Sequence, residues 1–200
     1  MRAVVVDYGM GNLGSLLALL DRLGHEATVW RAGPPPARLD LLILPGVGSM
    51  AVAYQQLVAR ELLDPLGALY RQGVPTLGIC LGLQLFFEAS EEGNGRGLGW
   101  IPGRVVALKA RRTPHMGWNT VRTRPHPLFA GLRPDAAFYF VHSYRVDPRD
   151  AQVVLGDTEY EGEWFPSVVS APPLVGVQFH PELSGPVGRR WLENFWREVG

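Results

Sequence analysis

Apolar residues form short continuous runs in the first half of the chain, and stretches with helical spacing separate these runs. The runs predict buried strands at 2–7, 27–30, 41–44 and 75–79. Helical spacing covers 13–23, 49–71 with a break near Asp64 and Pro65, and 81–89, and Ser49 is a suitable N-cap for the second helical stretch. Strands that are apolar throughout and alternate with helices are typical of a mostly parallel sheet covered on both faces.

The second half of the chain has short strand-like runs between turns that contain Gly and Pro, with little helical spacing. The runs lie at 104–108, 138–140, 153–155, 168–170 and 174–177, and an amphipathic helix is expected at 188–199. This pattern predicts antiparallel strands added to the central sheet. The expected fold is therefore α/β, an open and mostly parallel sheet with helices on both faces plus antiparallel strands, in one domain over residues 1–200.

Composition narrows the classes of function. Formal net charge is zero, so nothing favours binding to a phosphate backbone. No apolar run reaches bilayer length, and the single cysteine excludes an internal disulfide and a cysteine-rich metal site. A lone thiol without an export signal fits a reducing cytoplasm. We therefore expect a cytoplasmic protein that holds no metal and contacts neither nucleic acid nor membrane.

Cys80 lies where a predicted buried strand passes directly into a predicted helix. The residues at 78–82 read Gly-Ile-Cys-Leu-Gly, which has the form of a nucleophile elbow with cysteine in place of serine. Glycines flank such a turn because side chains two positions away would collide. The helix N-terminus favours the thiolate, which is the attacking species. A buried structural cysteine is the alternative that this motif alone leaves open.

His180 and Glu182 follow the last predicted strand. Residues two apart in extended chain point to the same side, so Glu182 can bond one imidazole nitrogen of His180 and orient the other. Such a pair is the base and its orienting group in a catalytic triad. A surface loop with an incidental His and Glu is the alternative.

A third segment, here called the glycine turn, covers 44–49 and reads Leu-Pro-Gly-Val-Gly-Ser. It lies at the carboxyl end of a predicted parallel strand, the edge at which sites of open α/β sheets gather. Its glycines leave backbone amides free to reorient, as an oxyanion site requires. A tight turn before a helix would look the same.

Together, the residues at 75–84 and 178–182 resemble the class I, or triad, glutamine amidotransferases. Further blocks are similar to the glutaminase subunits of imidazole glycerol phosphate synthase, and they lie at 7–13, 45–48, 114–119 and 139–144. These blocks occur in order along almost the whole chain.

The resemblance implies that the chain hydrolyses the side-chain amide of glutamine without a cofactor. Cys80 would attack the carboxamide carbon, His180 would carry protons, and Glu182 would hold His180. Ammonia would leave first, and water would then release glutamate from a thioester. The oxyanion would be bound by the backbone N–H groups of Leu81 and Val47.

The resemblance also implies a glutamine pocket formed by Gly48, Gln84, His142 and Ser143. His142 has an ordinary alternative as a buried histidine, and His115 and His126 are interpreted as structural or surface residues.

A partner is implied as well: a (β/α)8-barrel cyclase subunit that forms a heterodimer with the chain and receives the ammonia. Its products would be imidazole glycerol phosphate and an aminoimidazole carboxamide ribotide, in histidine biosynthesis. Asn12, Met116 and Trp118 lie in blocks expected at this interface, although core packing would also explain Met116 and Trp118. Leu183 departs from the pattern, because these subunits commonly have lysine there.

Other interpretations stay open at this point. Leu183 is similar to the glutaminase subunit of pyridoxal phosphate synthase, but the glycine turn and residues 81–84 disfavour that subunit. Anthranilate synthase glutaminases usually have Gly-Pro-Gly in the turn. Outside these families, the chain would be a non-catalytic regulator or a cysteine hydrolase acting on other amides. The intact set of Cys80, His180 and Glu182 argues against the regulator.

Overall fold

The computed structural model describes residues 2–11 and 13–200. Its strands are β1 (Arg2–Val6), β2 (Glu26–Trp30), β3 (Leu41–Leu44), β4 (Thr76–Ile79), β5 (Ala89–Ser90), β6 (Gly103–Ala107), β7 (His115–Thr120), β8 (Arg122–Thr123), β9 (Ala137–His142), β10 (Tyr144–Pro148), β11 (Val154–Tyr160), β12 (Glu163–Ala171) and β13 (Leu174–Val177). Its helices are α1 (Gly14–Arg22), α2 (Met50–Ala59), α3 (Leu63–Arg71), α4 (Leu81–Leu85) and α5 (Gly185–Val199).

The central sheet has the strand order β2-β1-β3-β4-β13-β12-β11-β8. The first five of these strands are parallel, and β12, β11 and β8 continue the sheet with antiparallel pairing. The predicted α/β fold, with antiparallel strands added in the second half, is confirmed. Two small sheets accompany it, one of β10, β6 and β5 and one of β7 and β9.

The central strands are apolar throughout because both of their faces are covered. In β3, Leu41 and Ile43 pack into one core, and Leu42 and Leu44 pack into the other. The first core lies under α1 and α5, and the second lies under α2, α3 and α4. Successive side chains of a strand point to opposite faces, so a continuous apolar run is what a sheet between two helical layers needs.

The boundaries of several predicted elements were wrong. The helix after Cys80 ends at Leu85 rather than at residue 89, because residues 89–90 pair with β6. The break in the second helical stretch lies at 60–62, where Glu61 has a φ of 57°. Pro65 falls in the first turn of α3, where a missing N–H costs nothing.

The start of α2 lies where it was predicted, but its capping differs, and the last helix begins earlier than predicted. Ser49 occupies the N-cap position of α2, but its side chain makes no capping bond there. Instead the Glu92 carboxylate accepts the hydrogen bond of the Met50 N–H at 3.0 Å. The last helix begins at Gly185, three residues before the predicted start at 188. Among the described residues, no helix combines the length and the apolar composition that crossing a bilayer requires.

Candidate active site

Strand order brings the three candidate segments to one edge of the sheet. β3, β4 and β13 are parallel neighbours, so the glycine turn, Cys80 and the segment from Gln178 to Glu182 all follow their carboxyl ends. The Cys80 N–H donates to the Val177 carbonyl at 2.7 Å, which ties the cysteine to the neighbouring strand. Residues distant in sequence are therefore adjacent in space.

Cys80 has the strained backbone expected of a nucleophile elbow, with φ 53° and ψ −104°. A Cβ on Gly78 would come within 2.7 Å of the Leu83 nitrogen and the Phe86 ring. A Cβ on Gly82 would come within 1.7 Å of the Leu44 carbonyl oxygen. Both glycines are therefore required by close backbone approach. Cys80 itself is buried at the start of α4.

His180 is held by Glu182 through its Nδ1, which donates to Oε1 at 2.8 Å. Its Nε2 is buried, and no described residue lies within hydrogen-bonding geometry of it. That nitrogen is therefore available for proton transfer. Burial by itself lowers the pKa of His180, but the Cys80 sulfur and the Glu182 carboxylate outweigh burial and raise the pKa to about 10. A protonated His180 beside a Cys80 thiolate is the arrangement of an activated cysteine nucleophile.

The glycine turn occupies the predicted oxyanion site in a closed arrangement. The Leu81 N–H donates to the Gly46 carbonyl at 3.4 Å, so one of the two predicted oxyanion donors is already engaged. The Gly46–Val47 peptide is planar and trans, so the Val47 N–H points away from the Gly46 oxygen and from Leu81. Rotating this one peptide would remove the carbonyl and present the Val47 N–H in its place.

A cavity of about 320 Å³ opens beside Cys80. It is lined by all the residues predicted to contact glutamine, which are Gly48, Gln84, His142 and Ser143. Its lining also includes a charged residue that was not predicted, Glu92. Glu92 gave no signal in the sequence because its stretch, 91–97, looks like an ordinary polar loop. The fold places its carboxylate at the wall of the cavity.

The Tyr144 carbonyl fixes the hydrogen bonding of the buried histidines. Because a carbonyl only accepts, His142 must donate to it from Nδ1, at 2.9 Å, which leaves His142 Nε2 to accept from His115 Nδ1 at 3.0 Å. His115 Nε2 in turn faces the Asn119 amide nitrogen at 3.3 Å. Burial lowers the pKa of His115 to about 4 and of His142 to about 3, so both rings are neutral.

Three histidines, His115, His142 and His126, differ in burial and in the contacts of their rings. His115 is a buried structural residue, as expected. His142 has both ring nitrogens engaged within the protein, so it can meet a ligand only with the face or edge of its ring. His126 is half-buried, and its Nδ1 accepts a hydrogen bond from the Leu128 N–H at 3.3 Å.

A second residue that the sequence reasoning missed is Tyr8. It is fully buried, and its hydroxyl donates to the Pro45 carbonyl at 2.5 Å. A Cβ on Gly46 would lie 2.1 Å from the same hydroxyl. Tyr8 therefore holds the start of the glycine turn and explains why Gly46 has no side chain.

Met116 and Trp118 are exposed, by 61% and 59%, so core packing does not explain them. They alternate along β7 and share the face opposite to the buried His115. Leu183 is also exposed, by 43%, beside the triad carboxylate Glu182. Asn12, the other residue predicted at the interface, lies outside the described residues.

Comparisons with known proteins agree with this geometry. Residues 4–199 match the family model described as glutamine amidotransferase class-I. The chain is 48% identical over 198 residues to the imidazole glycerol phosphate synthase subunit HisH of Methanopyrus kandleri, covering 96% of each chain. It is 43% identical to the subunit of the same name from Desulfitobacterium hafniense, covering 98% of this chain and 93% of that one.

A solved structure is also similar. A crystal structure of a glutamine amidotransferase superposes with a TM-score of 0.77 at 20% identity, covering 98% of this chain and 97% of the other. At that identity the likeness supports the fold alone.

Proposed function

We infer that this chain, which belongs to the class I glutamine amidotransferase family and within it to the HisH subunits, is the glutaminase subunit of imidazole glycerol phosphate synthase. It is an enzyme that hydrolyses glutamine to glutamate and ammonia for histidine biosynthesis. The observation that carries this assignment is the meeting of Cys80, His180 and Glu182 beside a cavity large enough for an amino acid.

In the proposed reaction, the Cys80 thiolate attacks the carboxamide carbon of glutamine and the carbonyl oxygen becomes an oxyanion. The protonated His180 gives its proton to the departing nitrogen, so ammonia leaves and a thioester stays on Cys80. His180 then takes a proton from water, whose oxygen adds to the thioester carbon. The C–S bond breaks, and glutamate leaves. Glu182 keeps Nδ1 protonated, so that Nε2 is the nitrogen that exchanges protons.

We assign the glutamine pocket to Gly48, Gln84, His142 and Ser143, and we add Glu92. The uncharged residues that line the cavity can contact the aliphatic part of the substrate, but only a carboxylate matches the charge of its α-ammonium group. Glu92 supplies that charge. Its second role, accepting the Met50 N–H, fixes the carboxylate in place and so preorganises it for the ligand.

The hydrogen bond from Leu81 to Gly46 supports a gating step. In the closed arrangement the oxyanion would meet the Gly46 carbonyl rather than two N–H donors. Rotation of the Gly46–Val47 peptide would supply both donors, from Leu81 and Val47. One such donor contributes about 10²- to 10³-fold to kcat in acyl transfer. The isolated chain should therefore be a slow glutaminase.

The partner that we propose is the (β/α)8-barrel cyclase, which receives the ammonia in a heterodimer. Exposed Met116 and Trp118 on one face of β7 support a docking surface, since large apolar side chains rarely lie together on a free surface. Leu183 is assigned to the same interface, and Asn12 stays a prediction from the sequence there. At Leu183 the contact must be apolar, because an ion pair is impossible there. We place the heterodimer in the cytoplasm and treat residues 1–200 as one domain.

The deciding experiment is to assay glutamine hydrolysis by the chain alone, with the cyclase, and with the cyclase and its nucleotide. We expect turnover to rise by at least about 10²-fold in the full complex. Cys80→Ala should abolish synthesis from glutamine and keep synthesis from added ammonium. Loss of both would assign Cys80 to assembly, and full activity of the isolated chain would remove the gating step.

A further inference from the structure

Gln178 is a fully buried polar residue that the mechanism above does not use. It follows β13 directly, and its backbone N–H donates to the Ser167 carbonyl at 2.9 Å. Its side chain reaches back toward the elbow, where Nε2 lies 3.5 Å from the Cys80 sulfur. A buried amide is costly unless its hydrogen bonds are made, so its partners indicate why it is there.

The orientation of the Gln178 amide is fixed by a chain of contacts. The Tyr144 carbonyl can only accept, so the Gln84 amide must turn its Nε2 toward it, at 3.0 Å. The same Nε2 lies 3.3 Å from Gln178 Oε1, so its second hydrogen meets the Gln178 oxygen. The Gln178 oxygen therefore faces Gln84, and its NH2 group faces Cys80. A reversed amide would leave two NH2 groups facing each other.

We propose that Gln178 is a catalytic residue that donates an N–H to the Cys80 sulfur and holds the thiolate in line with the carboxamide carbon. The proposal rests on the glutaminase function given above. Gln178 and His180 both follow β13, across a bend at residues 178–179, and both side chains reach the Cys80 sulfur. The elbow then directs the free side of the sulfur toward the cavity.

The bond matters at the two steps in which the sulfur carries negative charge. As the C–S bond forms, the charge moves to the carbonyl oxygen, and the Gln178 N–H loses its acceptor. When water adds and the C–S bond breaks, the electron pair returns to the sulfur. The Gln178 N–H and the protonated His180 then receive the thiolate. Hydrogen bonds to charged groups are about twice as strong as neutral ones, so this donor acts on the leaving group during thioester hydrolysis.

The test uses Gln178→Met, which keeps the length of the side chain and removes the donor. The matched control is Gln72→Met on the exposed C-cap of α3. Each variant is assayed as the complex with the cyclase and its nucleotide, for kcat and KM with glutamine and for synthesis from ammonium. The rate of alkylation by iodoacetamide is measured in parallel on the chain without the cyclase, where it reports Cys80 alone because the chain has one cysteine.

For Gln178→Met we expect kcat to fall by at least about tenfold, because the thiolate that leaves during thioester hydrolysis loses a charge-assisted hydrogen bond. The rate of alkylation at pH 7 should change by at least about threefold, because the donor acts on the attacking sulfur. KM and synthesis from ammonium should stay within about twofold of the wild type, because neither depends on this donor. Gln72→Met should match the wild type throughout. A variant with unchanged kcat and alkylation but lower thermal stability would overturn the proposal, since Gln178 would then be only a packing residue.

Gln178→Asn serves if the methionine variant does not fold. It keeps the amide but withdraws it by one methylene, so kcat should fall and the rate of alkylation should change, and unaltered values would again overturn the proposal. Failure of the glutaminase function itself would look different: the wild-type complex would not hydrolyse glutamine at all. The alkylation comparison between wild type and variant would still report the Gln178 contact.

Discussion

The Gly46 carbonyl accepts the hydrogen bond of the Leu81 N–H at 3.4 Å, at the position that we propose for the oxyanion of the substrate. One peptide thus separates a blocked site from a competent one. The residue next to it, Pro45, is held through its carbonyl by the buried Tyr8 hydroxyl. Tyr8, a residue outside the triad, therefore restrains one end of the glycine turn.

Tyr8→Phe should loosen the glycine turn. Loss of the bond to Pro45 should lower the free energy of unfolding by about 1 kcal/mol. It should also raise the basal glutaminase rate of the isolated chain by up to about fivefold, because a restraint of that size changes the population of the rotated peptide by that factor. Tyr70→Phe is the control, because its hydroxyl donates to the Trp100 carbonyl away from the site. Steady-state assays and urea denaturation check both. An unchanged basal rate in Tyr8→Phe would show that Tyr8 does not restrain the turn.

Glu92→Gln should raise KM for glutamine by about tenfold or more with a smaller effect on kcat, because it removes the charge that matches the α-ammonium group. The amide oxygen can still accept the Met50 N–H, so stability should hold. Glu91→Gln is the control, since Glu91 is exposed and its carboxylate accepts the Ala107 N–H, which an amide oxygen can also do. An equal rise of KM in both variants would contradict the assignment.

The neutral pair of His115 and His142 should make the fold sensitive to acid. The unfolded chain takes up protons near the ordinary pKa of 6.5, whereas folded His115 resists protonation down to about 4. The stabilisation present above pH 6.5 is therefore lost as the pH falls from 6.5 toward 4. Replacing His115 with Gln should reduce this loss by about 2 kcal/mol between pH 7.5 and pH 4.5. Urea denaturation at both pH values measures it, and equal losses in variant and wild type would refute the explanation.

Trp118→Ala should weaken binding of the cyclase by about tenfold or more, because a large aromatic side chain at an interface is often a dominant contact. Folding of the free chain should change little, since Trp118 is mostly exposed there. Trp164→Ala is the control: Trp164 is 50% exposed and stacks under Arg122 elsewhere on the surface. Calorimetric titration of the cyclase distinguishes the two. Equal weakening by both would argue against a docking surface on β7.

Much of the local structure could be predicted because its causes are local. The apolar runs and the glycines around Cys80 follow from strand periodicity and backbone sterics, which act over a few residues. The contact of His180 with Glu182 forms as predicted, but the extended chain predicted for it was wrong, because Glu182 lies in a 3-10 helix at Pro181–Leu183. Element ends were less accurate. The helix after Cys80 stops early because of pairing between β5 and β6, which no local pattern of residues reports.

The sequence by itself therefore determined the fold class, and it predicted Cys80 as the nucleophile and His180 as its base. The tertiary structure decided the state of the oxyanion site, the polar wall formed by Glu92, the exposure of Met116 and Trp118, and the contact of Gln178 with Cys80, 98 residues away. The physical reason is the adjacency of parallel strands. Pairing of β4 with β13 brings the carboxyl ends of these two strands together, although they are far apart in sequence. This pairing determines which polar groups meet beside Cys80.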